Sequence, residues 1–167
     1  MFTLSREGPY DVDEVEWLYD LAFAPGRRAL SSYRLRDGVA PVAELCQLAR
    51  DEYGAVGGAI RYWPVRIGEA GWPTLLLGPV AVHPTRQGEG LGGLLLHGTL
   101  ATARDLGWGR VVLVGDEPYY RRFGFARETA QAHGLSFPPP TNPDRFLARE
   151  LIPGAFDGVT GEVRRWD

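Results

Sequence analysis

One stretch limits what this chain can fold into more than any other: residues 74–106, TLLLGPVAVHPTRQGEGLGGLLLHGTLATARDL. An apolar run leads into a glycine-dense loop, and the loop opens directly into leucines at helical spacing. Strand, loop and helix in that order cradle a phosphorylated ligand in many folds, because glycines let backbone N–H groups point into one concavity and the helix N-terminus adds partial positive charge. The rest of the chain has to say which ligand.

Upstream, residues 2–6 alternate as a short strand and Gly8-Pro9 stops it. Asp11 or Asp13 can cap a helix running through Ala24, with Val12, Val15, Leu18, Tyr19 and Ala22 as its apolar face. Pro25-Gly26 ends that helix, and residues 27–36 are expected to form a second one, stopped by Asp37-Gly38. Strands are expected over 44–50 and 55–67, joined by the turn Asp51-Glu52-Tyr53-Gly54, with a third over 74–82 after a turn at 68–71. A meander of this kind is antiparallel. A helix from about Gly90 to Leu106, with Gly107 as its left-handed stop, then connects to a buried strand over 110–114, which can lie parallel to the strand before the helix. A short helix near 118–122, a surface loop over 137–143, a strand over 146–151 and a terminal strand near 162–166 complete the reading. With no repeat and no second core, residues 1–167 are expected to form one domain. Its fold class is mixed α/β (α+β), with a central, mostly antiparallel twisted sheet and flanking helices.

The net charge of −3 gives no electrostatic reason to expect nucleic acid or an anionic membrane as a partner. The single cysteine, Cys46, excludes an intramolecular disulfide and argues against a metal cluster; a half-buried strand position is its simplest role. His97 and His133 show no metal-ligand spacing, so no metal is expected. The N-terminus carries no signal-peptide pattern and no apolar run is long enough to span a bilayer, which points to a cytoplasmic location.

Three readings of the glycine loop compete. A P-loop ends in Gly-Lys-Ser/Thr, and this chain contains no lysine. Residues 88–93 match the dinucleotide pattern G-x-G-x-x-G literally, but five residues separate them from the strand and an antiparallel meander precedes them, so the doubly wound context is missing. The third reading is an acyl-CoA loop: Gln87, Gly88, Glu89, Gly90, Leu91 and Gly92 fit Q/R-x-x-G-x-G/A after strand-His-Pro, Gly93 continues the first helical turn, and Arg86 is placed to add a phosphate contact. Gly78-Pro79 supports it. Proline cannot donate to the ladder, so a bulge or splay is expected there, leaving backbone groups at Val80, Ala81 and Val82 open to an extended ligand with amide groups.

Together with Tyr119-Tyr120-Arg121-Arg122-Phe123-Gly124-Phe125, which is similar to an F-Y-x-x-x-G-F pattern, these segments resemble the GNAT superfamily of acyl-CoA-dependent N-acetyltransferases. The string Leu113-Val114-Gly115-Asp116 before the tyrosines is similar to a branch of predicted acetyltransferases. The resemblance implies the GNAT fold with its splay between two parallel strands, acetyl-CoA as co-substrate, and direct transfer in a ternary complex to an amine of a small molecule, peptide or protein. It implies that backbone N–H groups near Val80 to Val82 stabilise the oxyanion and that Tyr120 is the general acid for the departing thiolate. A free thiol has a pKa near ~8.5 and tyrosine near ~10, so the transfer needs tuning. Asp116 is the candidate base or cofactor contact, with Glu117 beside it; either can instead cap the next helix. The alternative is a module that binds acyl-CoA without transfer. Nothing in the sequence identifies the acceptor; Trp63, Trp72 and Trp166 are open to pocket, packing or subunit roles, and a homodimer is compatible with the chain.

Overall fold

The structure is a computed structural model and describes residues 1–23 and 26–167. In chain order its elements are β1 (Thr3–Arg6), α1 (Val12–Ala22), α2 (Ser31–Arg34), β2 (Gln47–Arg50), β3 (Val56–Ile67), β4 (Trp72–Val82), α3 (Leu91–Asp105), β5 (Arg110–Val114), α4 (Glu117–Tyr120), α5 (Arg127–Ala132), β6 (Leu135–Ser136), β7 (Phe146–Glu150) and β8 (Gly161–Arg165). One open sheet runs β1-β2-β3-β4-β5-β7, and β8 pairs with the far half of β3 and with the short β6. Neighbours along the main path are antiparallel except β4 and β5, which run parallel because α3 carries the chain across between them.

The parallel pair is short. Only Leu75 and Leu76 face Val111 and Val112, while the other edge of β4 stays paired to β3 as far as Val82 opposite Gly58. Between those points the β3–β4 register shifts near Ile60 and Tyr62, opposite the Gly78-Pro79 step. The expected splay is therefore present, with the β5-facing edge of Val80 to Val82 turned to open space.

Two faces of the sheet hold separate apolar layers. Leu91, Leu95, Leu96, Leu100 and Ala103 of α3 are buried against Leu45, Ile60, Leu75 and Val111. Each fully buried leucine contributes about 1.5–3 kcal/mol, so this stripe fixes how the glycine loop sits on the sheet. Val15, Leu18 and Tyr19 of α1 cover the opposite face with Leu48, Ala59 and Ala81. Val12 and Ala22, expected on that apolar face, are exposed.

Several local expectations change. Asp11 occupies the N-cap position of α1, but its carboxylate accepts from the Gly8 N–H and from Arg50 rather than from the first helical turn. The expected run to Ala24 and the Pro25 stop lie outside the described residues. Residues 27–36 do not form one helix: a 3-10 turn over Arg27–Ala29 is broken at Leu30, whose ψ of 150° is extended, before the single turn of α2. Arg27 causes the break by turning inward to Asp20, Glu16 and Tyr33. Cys46 is fully buried in the turn before β2, its thiol facing the Val42 carbonyl oxygen, rather than half-buried within the strand. Trp72 and Trp166 are stacked under Arg110 and Arg66 at the sheet end, away from the splay.

Candidate active site

A cleft of about 940 Å³ follows the splay from the glycine loop to the early helices. One end is the turn between β4 and α3. Gly88 and Gly90 take φ of 87° and 75°, a left-handed conformation that suits glycine alone, and they swing the chain round so that the N-terminus of α3 faces the cleft. Gly90 is the N-cap residue and offers no side-chain oxygen, so the first N–H groups of this 15-residue helix meet no capping group. Such a helix end binds an anion through those N–H groups and the helix dipole. A Cβ at Gly92 would lie 2.5 Å from the Tyr119 hydroxyl, so a side chain there requires the Tyr119 ring to shift.

The structure brings Val80, Ala81, Val82, Arg86, Gln87, Gly88, Gly90, Leu91, Gly92 and Gly93 to the wall of this cleft. Leu91 does so by its backbone, its side chain being buried against the sheet. Glu89 is not part of the wall. Arg86, expected to contact a coenzyme phosphate, also has protein partners: it donates to Asp51 at 2.7 Å, lies 3.8 Å from Glu89 and packs over Phe2. The partner came from the β2–β3 turn, 35 residues away, which no local pattern could show.

Tyr119 and Tyr120 meet edge to face at 5.0 Å and point to different parts of the cleft. Tyr119 reaches the start of α3, with Arg122 over its ring. Tyr120 lies against the end of β5, where a Cβ on Gly115 would sit 2.5 Å from its ring, and is backed by Phe125. Burial raises the pKa of Tyr120 well above the ordinary tyrosine value, and neighbouring Tyr119 and the Asp116 charge raise it further against a smaller opposing effect of Arg145. Tyr119 is raised as well, again by burial.

Asp116 lines the cleft with its side chain 77 % exposed and 3.4 Å from Arg145. Glu117 takes the structural role: its carboxylate accepts the Arg127 N–H at 2.8 Å and pairs with Arg121. Arg121 is thereby committed to Glu117 and Glu128. His83 accepts the Thr85 N–H and serves the turn, while His97 packs edge-on to Phe123 at the cleft wall. His133 stacks on Phe156 outside the cleft.

The floor beneath the splay is a partly buried ionic network that the sequence did not reveal. Arg61 on β3 donates through two nitrogens to Glu7 and through a third to Glu16 of α1, and Arg27 joins Glu16 to Asp20. Burial alone would raise the Glu16 carboxyl, but hydrogen bonds and charge from Arg61 and Arg27 outweigh it and hold the group below its ordinary value. Tyr19 lies under the Arg61 guanidinium and bonds the Pro79 carbonyl oxygen. Among the described residues no group of three or more His, Cys, Asp or Glu could hold a metal ion, and no helix is long and apolar enough to cross a membrane.

An open α/β sheet splayed beside an uncapped helix N-terminus, with tyrosines across the gap, defines an acyltransferase-like site. Residues 12–125 match the model of the acetyltransferase (GNAT) family, and the chain belongs to that family. It is 31% identical over 158 residues to the uncharacterized N-acetyltransferase YhbS of Escherichia coli, covering 94% of this chain and 92% of that one. The crystal structure of E. coli YhbS in complex with CoA superposes with a TM-score of 0.84 over 99% of this chain and 89% of that one, at 28% identity. A GNAT family acetyltransferase from Brucella melitensis, in complex with acetyl-CoA, gives a TM-score of 0.71 at 30% identity over 99% of this chain and 96% of its own. The protein is thus an acetyltransferase of the GNAT fold.

Proposed function

We propose that residues 1–167 form one acyl-CoA-binding domain that transfers an acetyl group from acetyl-CoA to an amine of a small molecule, peptide or protein, both substrates being held together in the cleft. The carrying observation is that one cleft joins an uncapped helix N-terminus, the unpaired edge of β4 and the Tyr120 ring. The CoA and acetyl-CoA complexes of the E. coli and Brucella relatives support the same co-substrate here.

Backbone N–H groups at Gly88 to Gly93 hold the pyrophosphate, and Gln87 adds a polar contact. Arg86, paired to Asp51, braces the loop and adds positive potential rather than a free charge. The free edge of Val80, Ala81 and Val82 pairs with the amide-bearing arm as an added strand would, and one of its N–H groups donates to the acyl oxygen as charge develops there. Acetyl-CoA supplies the acetyl group as an activated thioester. Holding the amine against that carbon replaces a bimolecular encounter by a positioned attack.

Tyr120 carries its proton throughout the neutral range because burial disfavours tyrosinate. The same apolar surroundings disfavour a free thiolate, so the proton passes from the Tyr120 hydroxyl to the leaving sulfur. The Asp116 carboxylate, at the open side of the cleft, takes the proton released by the amine, directly or through water.

Replacing Tyr120 by Phe tests the assignment. Turnover should fall by about 100-fold or more, in the range of a lost general acid, while acetyl-CoA affinity stays within about threefold. Unchanged turnover would refute the role.

A further inference from the structure

The cleft has a second polar end that the reaction scheme leaves unused. Arg36, just beyond α2, is only 8 % exposed, yet its Nε and Nη1 are buried without a hydrogen-bond partner among the described residues. Its two buried arginine neighbours are neutralised: Arg27 by Asp20 and Glu16, Arg61 by Glu7 and Glu16. Among the described residues no carboxylate pairs with Arg36; its guanidinium carbon lies 4.5 Å from the Tyr33 ring centre and 5.9 Å from that of Trp63. The Trp63 Nε1 is buried and unpartnered too, so donors collect here without an acceptor among the described residues. Burying a charge without a counter-ion is costly, and cation–π contacts offset only part of that cost. Burial pulls Arg36 down to about 10, which leaves it cationic at neutral pH.

Its position identifies what is missing. Arg36 lines the cleft, and its Nη2 lies 3.2 Å from where a Cβ on Gly78 would stand, at the point where β4 parts from β5. The helix N-terminus that suits coenzyme phosphates is at the other end, beyond four strand residues, or about 13 Å, plus the turn. An anion at Arg36 therefore belongs to the molecule entering opposite the coenzyme.

Building on the acetyltransferase reading above, we infer that Arg36 binds an anionic oxygen group, carboxylate or phosphate, of the amine acceptor. The acceptor is then an amine bearing an anionic group, held at Arg36 with its nitrogen directed at the splay. The Tyr33 ring lies 4.5 Å from the guanidinium carbon, Nε and Nη1 are buried, and Nη2, beside Gly78 at the cleft, is the nitrogen that meets the anion.

Matched pairs test this on the full chain. β-Alanine and α-amino acids are compared with their amides, and O-phosphoethanolamine with ethanolamine, by calorimetric binding to the CoA-loaded protein and by acetylation rate with acetyl-CoA. The anionic member of at least one type of pair should bind and react better by about tenfold or more, and Arg36→Met should reduce the difference to about twofold or less. Preference confined to carboxylates or to phosphates identifies the source of the anion. The inference is overturned if no anionic compound binds, if the neutral partners do as well, or if the preference survives in Arg36→Met; the wild-type comparison alone decides if that variant does not fold. Acetyl-CoA binding, titrated first on the same preparation, scores the acetyltransferase reading separately, since its absence counts against that reading and not against Arg36.

Discussion

The Tyr19 hydroxyl donates to the Pro79 carbonyl oxygen across 3.1 Å, joining α1 to β4 at the point where β4 leaves its parallel neighbour. Sixty residues separate the pair, and both groups are buried. The contact satisfies a carbonyl oxygen beside the Gly78-Pro79 step and sets how far α1 stands from the cleft. Stability and site geometry are therefore coupled through one side chain.

Tyr19→Phe keeps the ring and removes the donor, leaving a buried acceptor without its partner. The expected cost is about 1–3 kcal/mol in urea unfolding, together with weaker acetyl-CoA binding because the strand edge is no longer held. Wild-type values for both would show that the bond does not shape the splay.

Gly115→Ala probes Tyr120 without altering it. The added methyl would stand 2.5 Å from the Tyr120 ring, so the ring must turn away from the end of β5. Turnover should drop at least about tenfold with the hydroxyl still present, since misplacement of a reacting group by about 1 Å is enough for such a loss. Steady-state kinetics with full activity in this variant would mean that Tyr120 acts elsewhere.

Glu7→Gln should destabilise the fold by about 3–5 kcal/mol, because Arg61 is largely buried and donates two bonds to that carboxylate. Differential scanning calorimetry reads the loss directly. A shift of less than about 1 kcal/mol would show that Glu16 alone satisfies Arg61.

Alkaline pH gives a prediction whose sign follows from burial. Tyr19, Tyr62 and Tyr120 are all raised by burial, so each holds its proton in the folded state to higher pH than in the unfolded chain. Their contribution to stability is complete below about pH 10, the ordinary tyrosine value, and is lost as pH rises above it. This buried set should ionise only as circular dichroism reports unfolding. Ionisation of all seven tyrosines before unfolding would contradict this.

Features that depend on neighbouring residues were readable from the sequence. The 51–54 turn, the α3 stripe, the left-handed Gly107 and the break at Gly78-Pro79 each follow from local spacing or backbone chemistry, and together they predict the sheet order around the splay. What escaped was set by distant partners. Arg86 was legible as a cation near the loop, but its pairing with Asp51 was not. The helix expected over 27–36 has suitable composition, yet Arg27 finds α1 carboxylates and splits it. α5, only six residues long with one buried side chain, offers no periodicity to detect. Arg36 reads as one of 18 arginines until Tyr33 and Trp63 close over it.

Calorimetric titration of one preparation with acetyl-CoA, CoA and NADH tests the central claim most directly. The account predicts saturable, near one-to-one binding of acetyl-CoA and CoA, and no binding of NADH. Binding of NADH, or no heat with acetyl-CoA from a folded protein, would contradict it.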